Sequence, residues 1–165
     1  MNNDTIKTRG LVLLGCGKMG SAMLQGWLAD GLPPAAVTIL DPYPSDWLKQ
    51  TGVHINTDLP ENPAVVLIAV KPQMMNEALP RLVPCAGGDT LFVSVAAGTS
   101  MAAYESVLGA GSPIVRAMPN TPAAVGRGIT AIVKNAVATE QDLDQAEALL
   151  SAVSQVVRIE TEAQM

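Results

Sequence analysis

The sequence is poor in the side chains that most often carry chemistry or staple a small fold. Two Trp, two Tyr and one Phe amount to 3% aromatic residues, beside one His and two Cys. A core must therefore be built from Val, Ile, Leu, Ala and Met. Cys16 and Cys85 stand far apart and form neither a disulfide framework nor a metal-ligand spacing. His54 has no cluster of Cys or carboxylates around it, so no metal site is expected. Charge is scarce as well, at 15% of residues, and ten basic against fifteen acidic side chains leave a net charge of −5. The Lys and Arg are scattered, so the basic patch that a nucleic-acid partner requires is missing. No apolar run is long. The stretch 64–70 falls far short of the ~20 residues of a membrane-spanning helix. The first ten residues, MNNDTIKTRG, hold no apolar signal-peptide core. A cytoplasmic location is the expectation.

What is abundant is aliphatic surface. Hydrophobic residues make up 48% of 165, enough for one domain with a real core and too much for a disordered chain. They are spaced as short runs alternating with helix-length segments. The runs at 11–14, 37–40, 65–70, 91–95, 114–117, 129–133 and 156–159 read as strands, with 53–55 a short edge strand. Helical spacing appears at 18–30 (Met19, Met23, Leu24, Trp27, Leu28), where Gly31 is placed as the stop. Further helices are expected at 45–50 behind an Ser45 cap and at 73–82, where Pro80 should break the helix. Thr99 or Ser100 should cap another that runs to about residue 108. A last one, 140–153, opens on Thr139-x-x-Asp142, a capping-box pattern. This alternation predicts an α/β fold with a doubly wound, mostly parallel, Rossmann-like sheet. One domain should span 1–165, with 1–9 as a flexible leader. The loops after Leu14, Leu40, Val70 and Val95 should then share one edge, where such sheets bind ligands.

The first of these loops is the most informative. Leu14 is followed by Gly15-Cys16-Gly17-Lys18-Met19-Gly20, a G-x-G-x-x-G placed between a strand and a helix. Gly15 permits a tight turn, Gly17 lets a pyrophosphate approach the backbone, and Gly20 lets helix and sheet pack closely. The amides of the helix start and its dipole would hold the phosphates. The alternative is a tight turn without a ligand. Asp41 follows Gly20 by about twenty positions, the offset of an acid that binds the cofactor's ribose diol and repels a 2′-phosphate. Its alternative is an Asp-Pro turn starter. Ala69-Val70-Lys71-Pro72 ends the fourth strand. Pro72 should hold Lys71 extended, as a cationic cofactor wall or a solvated strand terminator. Val95-Ala96-Ala97-Gly98 ends the fifth with small side chains, leaving room for a flat ring or for close packing. Met118-Pro119-Asn120-Thr121-Pro122 is a stiff loop whose Asn120 and Thr121 offer hydrogen-bonding groups. From 106 to 133 the only charged residues are Arg116 and Arg127, so a wall built here has few acid–base groups.

Taken together, Leu14-Gly15-Cys16-Gly17-Lys18-Met19-Gly20, Ala69-Val70-Lys71-Pro72, Val95-Ala96-Ala97-Gly98 and Arg116-Ala117-Met118-Pro119-Asn120-Thr121-Pro122 resemble the pyrroline-5-carboxylate reductase family in order and spacing. The resemblance implies an NADP or NAD cofactor over the first, fourth and fifth strand ends. It implies that Asn120 and Thr121 wall the substrate pocket, and that hydride passes to the imine carbon of L-1-pyrroline-5-carboxylate, the last step of proline biosynthesis. Orientation and shielding can do most of that work on a protonated imine. Asp41-Pro42-Tyr43 departs from the small polar and basic pair of NADPH-using relatives and leans towards NAD. The family continues into a helical domain that builds homo-oligomers and completes the substrate site. That domain is expected to be absent here, so no catalytic residue is assigned. Two other readings stay open: a dinucleotide-binding module without turnover, and a 6-phosphogluconate or hydroxyacid-type dehydrogenase domain.

Overall fold

A computed structural model of the chain describes residues 4–119 and 128–165. Eight strands form one sheet: β1 (Leu11–Leu14), β2 (Val37–Leu40), β3 (His54–Ile55), β4 (Val65–Ile68), β5 (Leu91–Ser94), β6 (Ile114–Pro119), β7 (Gly128–Lys134) and β8 (Ser154–Arg158). Their spatial order is β3-β2-β1-β4-β5-β6-β7-β8. Every neighbouring pair is parallel except β6 with β7. The Rossmann-like expectation is met, and the antiparallel β6–β7 pair is what makes the sheet mostly rather than wholly parallel. The chain winds outward from β1 through β2 to β3, then returns to β4 on the other side of β1. The direction of winding therefore reverses between β1 and β4.

The helices are α1 (Asp4–Arg9), α2 (Lys18–Ala29), α3 (Asp46–Gln50), α4 (Met75–Ala78), α5 (Met101–Leu108) and α6 (Glu140–Leu150). Side chains alternate between the two sheet faces along each strand. Val65 and Leu67 join Met23, Leu24 and Trp27 of α2 and Ala146 and Leu149 of α6 in one core layer. Val66 and Ile68 join Met75, Leu79, Leu82, Tyr104 and Leu108 in the other. That double coverage is why the strands read as unbroken apolar runs. Each fully buried Leu, Ile or Val contributes roughly 1.5–3 kcal/mol. Trp27 is the largest of these side chains; it is wholly buried, and its indole N–H donates to Leu149 O at 2.9 Å, tying α2 to α6 across the layer.

Local signals explain most element ends. Ser45 Oγ accepts from Leu48 N, and Ser100 Oγ accepts from Ala103 N. Thr139 and Asp142 complete a reciprocal capping box. Gly31 has φ +99° just past α2, a left-handed conformation that glycine adopts without steric cost. Two expectations need correction. Residues 4–9 are a helix and not part of a flexible leader: Ile6 is fully buried, and Arg9 bonds Asn62 O, Pro63 O and the Asp89 carboxylate. The segment at 73–82 is mostly not α-helix either. It runs as a 3-10 turn (Pro72–Met74), the single turn of α4, and a second 3-10 stretch (Leu79–Cys85). Pro80 and Pro84 lack the amides an α-helix would need there.

Candidate cofactor site

In-register pairing sets the carboxyl ends of four strands in one row. Leu14 aligns with Leu40 and with Ile68, and Ile68 aligns with Ser94. The ladder runs one step into each loop: Gly15 N donates to Leu40 O at 2.8 Å, Ala69 N to Leu14 O at 2.8 Å, and Val95 N to Ile68 O at 3.0 Å. The exits carrying Gly15, Asp41, Ala69 and Val95 therefore share one edge, at the point where the winding reverses.

Each glycine of the first loop answers a different steric demand. Gly15 has φ +86°, and a Cβ on it would meet Val70 Cγ1 at 2.9 Å and Ala69 O at 3.0 Å. The β1 and β4 exits touch there, and only a bare backbone fits. A Cβ on Gly20 would lie 2.8 Å from Gly15 O, so α2 packs directly on the turn that precedes it. A Cβ on Gly17 would meet nothing within 4 Å. Gly17 is also the N-cap of α2, and no side chain caps that helix start. The loop thus presents the first-turn amides of a twelve-residue helix to open space, with the positive end of the helix dipole behind them. These residues fit a diphosphate group.

Asp41 sits at the β2 exit as the spacing requires, and its carboxylate also braces the glycine loop. Oδ2 accepts from Cys16 N at 2.9 Å, and Oδ1 accepts from Tyr43 N at 2.8 Å. Asn56, whose φ is +54°, holds the backbone on both sides: Asp41 N donates to its Oδ1 and its Nδ2 donates to Asp41 O. Nothing in the sequence pattern points to Asn56, because the contact depends on β3 lying beside β2. Each Asp41 oxygen keeps a lone pair for a further donor.

Lys71 is extended (φ −65°, ψ +148°) and exposed ahead of Pro72, while Ala69 and Val70 are half-buried. The β5 exit turns through Val95, Ala96, Ala97 and Gly98, with φ +81° at Gly98 and open space where its Cβ would be. Beneath this turn lies a polar network that sequence reading did not anticipate. Ser94 Oγ bonds Tyr104 OH and accepts from Ala96 N at 3.2 Å. Burial pushes the Tyr104 phenol above its usual range, with Ser94 and Thr99 as opposing hydrogen-bond partners. Asn120 and Thr121 lie outside the described residues.

Both cysteine thiols are held in their neutral form in this setting. The Cys16 thiol is buried and hydrogen-bonded with Ser21. Desolvation pushes its pKa up, and the Asp41 charge adds to the effect, so the thiol stays protonated at neutral pH. Burial raises Cys85 likewise. His54 is exposed on β3. No group of His, Cys, Asp and Glu that could hold a metal occurs among the described residues. No helix among them is long and apolar enough to cross a membrane. A pocket of about 680 Å³ opens at the opposite edge of the sheet, where the Arg9–Asp89 ion pair lines it.

Comparison with known proteins agrees with this geometry. A family model described as "NADP oxidoreductase coenzyme F420-dependent" matches residues 10–98, which run from the start of β1 through Gly98. Pyrroline-5-carboxylate reductase of Pseudomonas aeruginosa is 34% identical over 166 residues, covering 97% of this chain and 61% of the relative. The solved pyrroline-5-carboxylate reductase of Coxiella burnetii superposes with a TM-score of 0.88 at 30% identity, covering 95% of this chain and 61% of that one. A Plasmodium falciparum pyrroline carboxylate reductase solved with NADP bound shares the fold, with a TM-score of 0.79 at 22% identity over 93% of this chain and 58% of that one. The chain therefore spans about three fifths of the length of the relatives it matches, and the resemblance read from its motifs extends over nearly all of it.

Proposed function

Because the chain belongs to the NADP oxidoreductase coenzyme F420-dependent family, we propose that it is the dinucleotide-binding part of a pyrroline-5-carboxylate reductase. The observation that carries this reading is Gly17: an uncapped helix start, bare of side chain, at the reversal point of a doubly wound sheet. A diphosphate is the group that such a start accommodates best.

In this reading the cofactor is NADP or NAD. The amides of 17–19 hold its pyrophosphate, and Asp41 takes the hydroxyls of the adenosine ribose. Ala69-Val70-Lys71-Pro72 and Val95-Ala96-Ala97-Gly98 would hold the other half of the dinucleotide. Lys71 adds positive charge there. When bound, the cofactor would supply a hydride for the carbon of the protonated cyclic imine, and the neutral amine so formed would take up a proton from solvent. This chain's part is to hold the ring over the small residues of the β5 exit and to keep water from it. Asn120 and Thr121 orient the substrate. No acid–base role is assigned to the described residues at this edge, which suits an iminium that is already protonated and electrophilic. In this reading the reaction is cytoplasmic. Assembly into homo-oligomers would use polypeptide equivalent to the two fifths of the relatives' length that this chain does not match.

The test has two stages. Titration with NADH and NADPH, followed by nicotinamide fluorescence, should show saturable binding. Addition of L-1-pyrroline-5-carboxylate should then oxidise the cofactor and yield proline. Binding without oxidation supports a cofactor-binding unit that needs further polypeptide for turnover. Absence of binding to either dinucleotide removes the basis of the assignment.

A further inference from the structure

Among the helices that follow strand exits at the cofactor edge, α2 and α5 have oppositely treated starts. The start of α2 carries no side chain. The start of α5, directly behind the Val95–Gly98 turn, is filled by the protein itself: Glu162 Oε2 accepts from Met101 N at 2.6 Å. The same oxygen accepts from Arg116 Nη1 at 2.7 Å. One carboxylate oxygen therefore joins the helix after the β5 exit to strand β6. Arg116 stands in register with Ser94 and four residues ahead of Asn120. Its side chain is only 11% exposed, against 34% for Glu162. Its Nε is buried without a hydrogen-bond partner among the described residues. Among the described residues, Glu162 is the carboxylate that pairs with this guanidinium.

Glu162 is reached by a long return. After β8, at the far edge of the sheet, Ile159 N donates to Ile132 O of β7, and a 3-10 turn (Glu162–Gln164) closed by Thr161 and Gln164 presents the carboxylate. Met165 then packs on the core layer that holds Tyr104. The turn at 95–98 is consequently gripped from three directions: Ser94 Oγ under Ala96 N, Tyr104 from α5, and Glu162 at the first amide of α5. The Arg116 link carries this constraint to the strand that leads into Asn120 and Thr121.

We infer that the Glu162–Arg116 pair is a positioning element for the nicotinamide half of the site, holding the start of α5 and strand β6 at a fixed separation beside the β5 exit. The inference rests on the dinucleotide reading proposed above. It assigns the adenosine half to the β1–β2 side and makes that half independent of Glu162. Loss of the pair should therefore weaken the grip on the nicotinamide end and spare the other.

The experiment compares binding of NADH and NADPH with binding of ADP-ribose and its 2′-phosphate, which lack the nicotinamide. In Glu162→Gln the affinity for the whole dinucleotides should fall about tenfold while that for the ADP-ribose compounds stays within about twofold. Fluorescence of bound NADH should move towards its free-solution value. Arg116→Met should reproduce the loss. Arg116→Lys, which keeps a charged donor for Oε2, should recover most of the affinity. Equal losses for whole and half ligands, or no loss for either, would overturn the positioning role while leaving the cofactor reading intact. A wild-type chain that binds neither class of ligand refutes the cofactor reading and this inference with it.

Discussion

Replacing Gly17 by Ala adds one methyl group where the protein itself has room for it. No atom lies within 4 Å of the added Cβ, and φ at this position is −78°, which an L-residue adopts freely. An Ala at an N-cap is less favourable than Gly, but the difference stays within about 1 kcal/mol. In a domain of this size that moves the melting temperature by no more than about 4 °C. The ligand meets a different surface. The methyl group stands where a diphosphate must come against the 17–19 amides, and displacing the phosphates by a carbon's width breaks or lengthens the charge-assisted bonds. Such bonds contribute about 1.5–3 kcal/mol each. Losing two of them costs ~3 kcal/mol or more, which is over a hundredfold in Kd. Gly20→Ala is the companion measurement. Its Cβ would press on the Gly15 carbonyl at 2.8 Å, a backbone atom that cannot swing aside, so the overpacking cost lies at the upper end of roughly 1–3 kcal/mol and leaves about 2 after a helix-propensity gain of about 1. Gly20→Ala should thus lower the melting temperature more than Gly17→Ala does. Thermal unfolding and dinucleotide titration of both variants make the comparison. A Gly17→Ala chain that binds NADH or NADPH within about threefold of wild type refutes the claim that phosphates approach this backbone.

Three further outcomes follow from the same coordinates. Asp41→Asn removes the charge that opposes a 2′-phosphate and should shift the NADH-to-NADPH affinity ratio about tenfold towards NADPH; an unchanged ratio in parallel titrations would take Asp41 out of the ribose subsite. Burial raises Cys16, Cys85 and Tyr104 in the folded chain, so the folded state holds these protons more tightly than the unfolded one. Their contribution to stability is whole below the ordinary thiol and phenol values of 9.0 and 10.0 and is lost as the pH climbs through the raised ones. Urea midpoints should fall steadily above that onset, and a midpoint that rises there contradicts the assignment. Trp27→Phe leaves Leu149 O without its indole donor and should cost about 1–3 kcal/mol in denaturant unfolding; a loss below about 0.5 kcal/mol would show the carbonyl to be satisfied in another way.

Periodicity and local steric rules act within a few residues, so they are legible in sequence. The apolar runs located all eight strands to within a few residues, most directly β1 and β4, where both faces of the sheet are covered and every position is apolar and buried. The caps at Ser45 and Thr139 and the stop at Gly31 depend on hydrogen bonds and dihedrals inside one turn, and they fell where the pattern placed them, while of Thr99 and Ser100 the structure uses Ser100. The three glycines could be given separate tasks in advance because a strand–turn–helix needs a left-handed turn at Gly15 and a close approach at Gly20 whatever surrounds it.

What tertiary structure alone decided is which distant groups meet. Ile6 is one apolar residue in a polar stretch and carries no periodic signal, yet α1 is held where Arg9 meets Asp89 and two carbonyls just ahead of β4 and β5. Asp41 braces Cys16 N because parallel register puts the β1 and β2 exits side by side. Glu162 reaches Arg116 and Met101 only because the chain doubles back from the last strand across β7. Such contacts join residues tens of positions apart, and no local rule encodes them. They form when the packed sheet brings an unsatisfied amide and a carboxylate within 3 Å of each other, where leaving either one buried and unpaired would cost about 1–3 kcal/mol.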